Sequence, residues 1–210
     1  MNRHSSLLLA LVCGVPLLAS CELFGLDDST IEIDIPEYVI GPLTLPLDGL
    51  PAGTLPEGQS LARWVGTPPS PVDLVAAEPR LEKYTDTLDR IEIRKITYQV
   101  TENTLSADLQ PLEIYFGPTD VPASLEDPAK DSRLVKYGQT AVIAKGVTHP
   151  TAQTMTPGAG AVEQVAEIMS DLAFSSLAGA HVVVQGGQAV PSGQMKLKVG
   201  LSLTVFVKPY

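Results

Sequence analysis

Alternation of apolar and polar residues marks most of this chain as strand. From Thr30 to Ile35, Ile31, Ile33 and Ile35 fall on one side and Thr30, Glu32 and Asp34 on the other. That is the period-2 signature of a half-buried strand, here closed by Pro36. Leu43, Leu45 and Leu47 keep the alternation, but Pro42 and Pro46 offer no N–H donor and demote this segment to an edge strand or a loop. In residues 91–100, Ile91 and Ile93 share one phase while Ile96, Tyr98 and Val100 share the other. The slip predicts a bulge at Arg94-Lys95. Leu112, Ile114 and Phe116 predict a strand ended by Gly117-Pro118, residues 122–133 a charged loop, and residues 134–145 one or two short strands around Gly138.

The longest pattern stands at the C-terminus. Met195, Leu197, Val199, Leu201, Leu203, Val205 and Val207 occupy every second position, which predicts one buried face and one mostly wet. Residues 181–185 contain Val182-Val183-Val184, and Gly186, Gly187, Pro191, Ser192 and Gly193 form a turn-rich connector. These two strands are expected to pair as a hairpin. Lys208-Pro209 would then end the sheet and discourage further strand addition.

Helical spacing occurs twice. After Pro79, over residues 80–90, Leu81, Tyr84, Leu88 and Ile91 recur at steps of three and four, which predicts a short amphipathic helix. Over residues 161–178, Val162, Val165, Ala166, Met169, Leu172 and Ala173 share a face, and Gly179 stands where a stop is expected. Glu163, Glu167 and Asp171 lie opposite; a single row of carboxylates converges poorly on a cation and reads as a solvated face. Residues 36–79 hold nine of the chain's 18 prolines, which excludes a helix and predicts a long irregular excursion packed over the domain. Trp64, the single tryptophan, is the candidate contact residue there if exposed and a core residue if buried; the burial habit of tryptophan favours core. Without a regular βαβ alternation, the chain is expected to form one antiparallel β-sandwich of immunoglobulin-like layering over residues 30–210.

The first residues follow another rule. Arg3 precedes a 12-residue apolar run, Leu7 to Leu18, and then Ala19-Ser20-Cys21-Glu22. The run is shorter than the about 20 residues that span a bilayer and has the layout of an export signal, residues 1–20. Leu18-Ala19-Ser20-Cys21 resembles the lipobox of bacterial lipoproteins at all four positions. That resemblance implies diacylglycerol on the Cys21 thiol, cleavage between Ser20 and Cys21, and further acylation, palmitate included, of the new amino group. It also implies the outer membrane, because Glu22 stands where Asp signals inner-membrane retention in enteric bacteria. Residues 21–29 would then be a short lipidated tether. The body resembles small uncharacterised β-rich envelope lipoproteins, a likeness that supplies no activity.

Composition narrows the function. Lys and Arg number 14 against 24 Asp and Glu, a net charge of −10. So acidic a chain has no basic face for nucleic acid and is repelled by anionic headgroups, which leaves the lipid as its expected membrane contact. Of the two cysteines, cleavage discards Cys13 and acylation uses Cys21, so neither a disulfide nor a thiolate site is expected. His149 and His181 lack metal-ligand spacing. Ser175, Ser176 and Ser192 lack a recognisable partner base, and no nucleotide-binding or nucleophile motif occurs. The sequence therefore predicts no metal, no cofactor and no enzyme. It points to a binding or scaffolding module with envelope protein partners, or else a carrier of an apolar ligand between the long helix and the C-terminal strand.

Overall fold

A computed structural model describes residues 30–122 and 125–209; the export signal, Cys21 and the tether lie outside the described residues. In chain order come β1 (Ile31–Pro46), β2 (Ser60–Gly66), β3 (Ser70–Asp73), the one-turn α1 (Leu74–Ala77) and a 3₁₀ helix, Pro79–Thr87. Next are β4 (Leu88–Asn103), β5 (Glu113–Gly117), a second 3₁₀ turn (Pro128–Lys130), β6 (Val135–Gln139), β7 (Gln153–Thr154) and β8 (Thr156–Pro157). The chain ends with α2 (Ala161–Met169), β9 (Ala173–Gln185) and β10 (Gln194–Val207). One sheet has the order β1-β10-β4-β7 and the other β2-β9-β5-β6-β8, with β3 also paired to β9. All these pairings are antiparallel. The chain is a mainly β, antiparallel sandwich.

The prolines of β1 do not end it. The strand runs on past Pro36 and Pro42, and its register against β10 slips between Ile35 and Tyr38 and between Ile40 and Leu43. A proline inside a slip removes no ladder hydrogen bond, which is how an edge strand tolerates it. In β4 the register slips across Arg94, where Ile93 pairs with Leu203 and Lys95 with Ser202. That is the bulge the phase change requires.

Residues 36–79 are not an irregular excursion, because the end of β1, all of β2 and all of β3 lie within them. The long helix stops at Met169 rather than 178. Leu172 takes a left-handed φ of 60°, its N–H donates to Met169 O at 2.9 Å, and the chain leaves as β9. Leu172 is still buried, so it completes the apolar face from outside the helix. The helix predicted over 80–90 is a 3₁₀ helix that yields to β4 at Leu88. Finally, β9 and β10 do not pair as a hairpin, since they lie in different sheets. β10 lies between β1 and β4, and β9 lies beside β2 and, from Ser175 to Gly179, β5. Their connector crosses between layers, held by Gly187 N to Leu55 O at 2.7 Å and Val190 N to Gly53 O at 2.8 Å.

The core lies between the sheets. Met195, Leu197, Val199, Leu201, Leu203, Val205 and Val207 are each at most 1% exposed. The other face of β10 is less wet than its pattern predicts, because long side chains of the flanking strands overhang it. Thr204 is fully buried, accepts from Arg94 Nε at 2.7 Å and donates to Asp34 Oδ1 at 2.7 Å. The Arg90 guanidinium lies 3.8 Å over the Phe206 ring, a cation–π stack that closes this edge. α2 buries Ala161, Val165 and Met169 and leaves Glu163 and Glu167 in water, where Asp171, just past its end, also lies. No helix among the described residues is long and apolar enough to cross a membrane.

Candidate functional site

Residues directly opposite each other in an antiparallel ladder share a face of the sheet. Trp64 on β2 stands opposite His181 on β9. On the other side of β9, Glu113 and Tyr115 of β5 stand opposite Gly179 and Leu177. Ile114, Phe116, Phe174, Ala178 and Val182 take the opposite phase and fill the core between the sheets. Trp64, His181, Glu113, Tyr115 and Leu177 therefore project from the outer face. There Trp64, Tyr115 and Leu177 pack with Val121 and Leu134 in a second, smaller cluster, with Leu125 against it.

Trp64 is 6% exposed, buried, yet outside the core between the sheets. Its ring meets Tyr115 edge-on at 5.7 Å and 90°, and His181 at 5.2 Å and 62°. Two glycines make room for the indole. A Cβ on Gly66 would lie 2.6 Å from Trp64 Nε1. One on Gly179 would collide with Trp64 Cζ2 and with the Val65 carbonyl oxygen. Gly179 is therefore a close-packing position inside a strand, not the helix stop that its place in the sequence suggests.

A polar group adjoins the indole. Tyr115 Oη donates to Glu113 Oε2 at 2.8 Å, and Lys136 Nζ donates to Glu113 Oε1 at 3.0 Å. His181 Nε2 lies 3.7 Å from Glu113 Oε2 and 4.0 Å from Asp127 Oδ1. Asp127 caps the 3₁₀ turn, accepting from Ala129 N at 3.1 Å, and Lys130 Nζ stands 3.7 Å from its other oxygen. Both Glu113 oxygens are thus engaged, and no group of three His, Cys, Asp or Glu among the described residues is arranged to hold a metal ion. Two open clefts meet at Arg63 and Trp64. One, of about 500 Å³, reaches Asp127, Lys130 and His181; the other, of about 260 Å³, reaches Thr67, Pro69 and Leu125.

Burial raises the Tyr115 phenol well above the ordinary tyrosine range, and the hydrogen bond to Glu113 with the charges of Glu113 and Asp127 adds to it. The neutral phenol is the form the fold favours. This contribution to stability is complete below the unfolded tyrosine pKa and is lost as pH rises toward the folded one. In a phenolate absorbance titration, Glu113→Gln is expected to bring Tyr115 part of the way down, because burial remains. A titration curve unchanged by Glu113→Gln would show that the carboxylate does not act on the phenol.

The structure brings the candidate contact residue Trp64 together with His181 and leaves His149 apart, beside Tyr98 of β4 at 5.4 Å. Ser176 is fully buried and its Oγ has no hydrogen-bond partner, while Ser192 pairs with Ser106 Oγ at 3.2 Å. Sequence reasoning passed over Glu113, Tyr115, Asp127 and Lys136. The signal for the first two was available, since Glu113 and Tyr115 alternate with Ile114 and Phe116.

No family model matches the chain, and no curated protein does. Two solved structures align over all of it. A structure of Desmodium yellow mottle tymovirus is 12% identical with a TM-score of 0.29, over 92% of that chain. A structure of mud crab tombus-like virus is 12% identical with a TM-score of 0.33, over 95% of that chain. Likenesses this low carry no statement about function.

Proposed function

We propose that this protein is a non-catalytic, lipid-anchored binding module of the bacterial outer membrane. It is held by acyl chains on Cys21 and meets an envelope protein through the outer face of the second sheet around Trp64. The observation that carries this reading is the aromatic and charged cluster built on that outer face. The buried Trp64 and Tyr115 meet edge-on there and hold the half-buried His181 beside the exposed Arg63, at the junction of two open clefts. Arginine is among the side chains enriched where proteins meet, because its planar guanidinium combines apolar area with directional hydrogen bonds, and Arg63 is exposed between the two clefts. The apolar stripe of β10 is used up in packing and lends no support to a carrier of apolar ligands.

The anchor rests on Leu18-Ala19-Ser20-Cys21. Each buried CH₂ contributes about 0.8 kcal/mol, so two or three acyl chains hold a protein at a bilayer almost permanently. Cys21→Ser is expected to take up no labelled palmitate and to leave the membrane fraction entirely. A variant that stays lipidated ends the anchor reading. The contact surface is tested separately, by a photo-crosslinking residue in intact cells. Placed at Ala62, in the larger cleft, it is expected to give a defined protein adduct. Placed at Lys198, exposed on the first sheet, it is expected to give none. No adduct from Ala62, or equal adducts from both positions, would count against this face.

A further inference from the structure

Past Gly179, β9 has a neighbouring strand on one side only. β2 accompanies it as far as Gln185, whereas β5 pairs with it only from Ser175 to Gly179. The chain leading into β5 turns the other way. Leu109 exchanges main-chain hydrogen bonds with Ile143 at 2.9 and 3.0 Å, and Leu112 N donates to Thr140 Oγ1 at 3.0 Å. A cleft of about 390 Å³ opens between Val182–Val184 and the segment 107–110, with Ala189 and Pro191 at its end.

Ala178 establishes which backbone groups face that gap. Its carbonyl accepts from Thr67 N at 2.7 Å and its N–H donates to Thr67 Oγ1 at 3.1 Å, both toward the β2 side. Main-chain groups alternate sides along a strand. Those of Val182 and Val184 therefore serve β2, and those of His181 and Val183 face the gap. Gln185, next in the same phase, has its N–H capped by Gln188 Oε1 at 2.9 Å. The main-chain groups of His181 and Val183 have no such partner among the described residues, and Val183 is 54% exposed.

We propose that this gap takes an extended segment of a partner protein as an added strand, hydrogen-bonded to the main chain of His181 and Val183. The inference rests on the binding-module reading and names the partner's chemistry. Strand addition draws affinity from main-chain hydrogen bonds and specificity from alternate side chains. Val182, Val184, Leu109 and Pro191 line the gap and suit a small apolar side chain turned inward. Asp108, on the facing wall, makes no ion pair among the described residues, and the chain carries −10. The outward side chains of the guest are accordingly basic. Among the outer strands of the two sheets, the long β1 is broken by Pro36, Pro42 and Pro46, the devices that keep an edge from accepting strands.

The test uses full-length lipidated protein in detergent micelles and the synthetic peptide acetyl-Val-Lys-Val-Lys-Val-Lys-amide. In the free protein, the His181 and Val183 amides are expected to exchange with solvent at least about a hundredfold faster than those of Val182 and Val184. Saturating peptide is expected to slow them at least about tenfold, whereas the same peptide N-methylated at alternate amides leaves them unchanged. Protection in the free protein at every concentration, or indifference to the peptide, overturns the proposal. Equal protection by the N-methylated peptide does so too. Protection that grows with protein concentration alongside a dimer would make a second copy the occupant and overturn the choice of partner. Equal binding of a Glu-for-Lys peptide would overturn the basic guest. None of these outcomes touches the palmitate and Ala62 results, so the two readings fail separately.

Discussion

Gly179→Val is expected to destabilise the protein by about 3 kcal/mol or more, a large share of the 5–15 kcal/mol typical of a domain. A Cβ at this position collides with the Trp64 ring and with the backbone of β2 at Val65 and Gly66. Backbone on one side and a buried indole on the other leave nothing flexible to give way. Gly179→Ala, which adds only the Cβ, is expected to show much of the loss. The chain's single tryptophan sits at the collision, so its fluorescence reports the unfolding midpoint in urea. Replacing Trp64 by Leu in the Gly179→Ala background, followed by circular dichroism because the tryptophan is gone, is expected to restore part of the stability, because one of the collisions disappears while that with the Val65 carbonyl remains. A Gly179→Ala protein with the parent midpoint would mean that the indole does not lie over this glycine.

Phe174→Ala is expected to cost about 3–5 kcal/mol, the range for emptying a large aromatic site in a core. Phe174 is fully buried, stands opposite Val72 of β3 and meets the Phe116 ring at 6.0 Å. The loss should appear as a lower urea midpoint with an unchanged slope, the sign of a cavity in an otherwise intact fold. A cost below about 1 kcal/mol, the level of a surface change, would contradict this packing. Glu163→Gln, on the solvated face of α2, serves as the neutral control.

Both predictions turn on residues whose surroundings were only partly legible from the chain. Phe174 lies in the stretch where helical spacing continues through Leu172 and Ala173. Leu172 does reach the apolar face that its spacing requires, but through a left-handed residue after the helix has ended. Periodicity reports which side of a segment is buried and cannot tell the last turn of a helix from a reversal that returns a side chain to the same side. Gly179 illustrates a related ambiguity. A glycine after a helical pattern suggests a stop, yet the same missing Cβ also admits a ring from a neighbouring strand. Local sequence does not separate these uses.

The candidate site follows the same division. Trp64 stands out in the sequence because it is unique, and its residue type predicts burial, but not the layer in which it is buried. His181 and Asp127 are 54 positions apart along the sequence, and only the register of β2 against β9 and the cap of a 3₁₀ turn bring them to one indole. The gap beside Val183 was equally invisible, since it exists because residues 107–112 pair away from β9.

The sequence by itself determined what one segment can show through its own period and side-chain volume. Within its reach were the half-buried strands, the bulge at Arg94, the buried stripe of residues 195–207, the water-facing acids of the helix and the lipobox resemblance. Tertiary structure alone decided which strands are neighbours, and with that β9 and β10 went to opposite sheets, a second cluster formed outside the core, and the end of β9 kept a neighbour on one side only. The physical reason is that alternation records how much of each face is buried, whereas the identity of the covering partner is set by long-range packing that no local window contains.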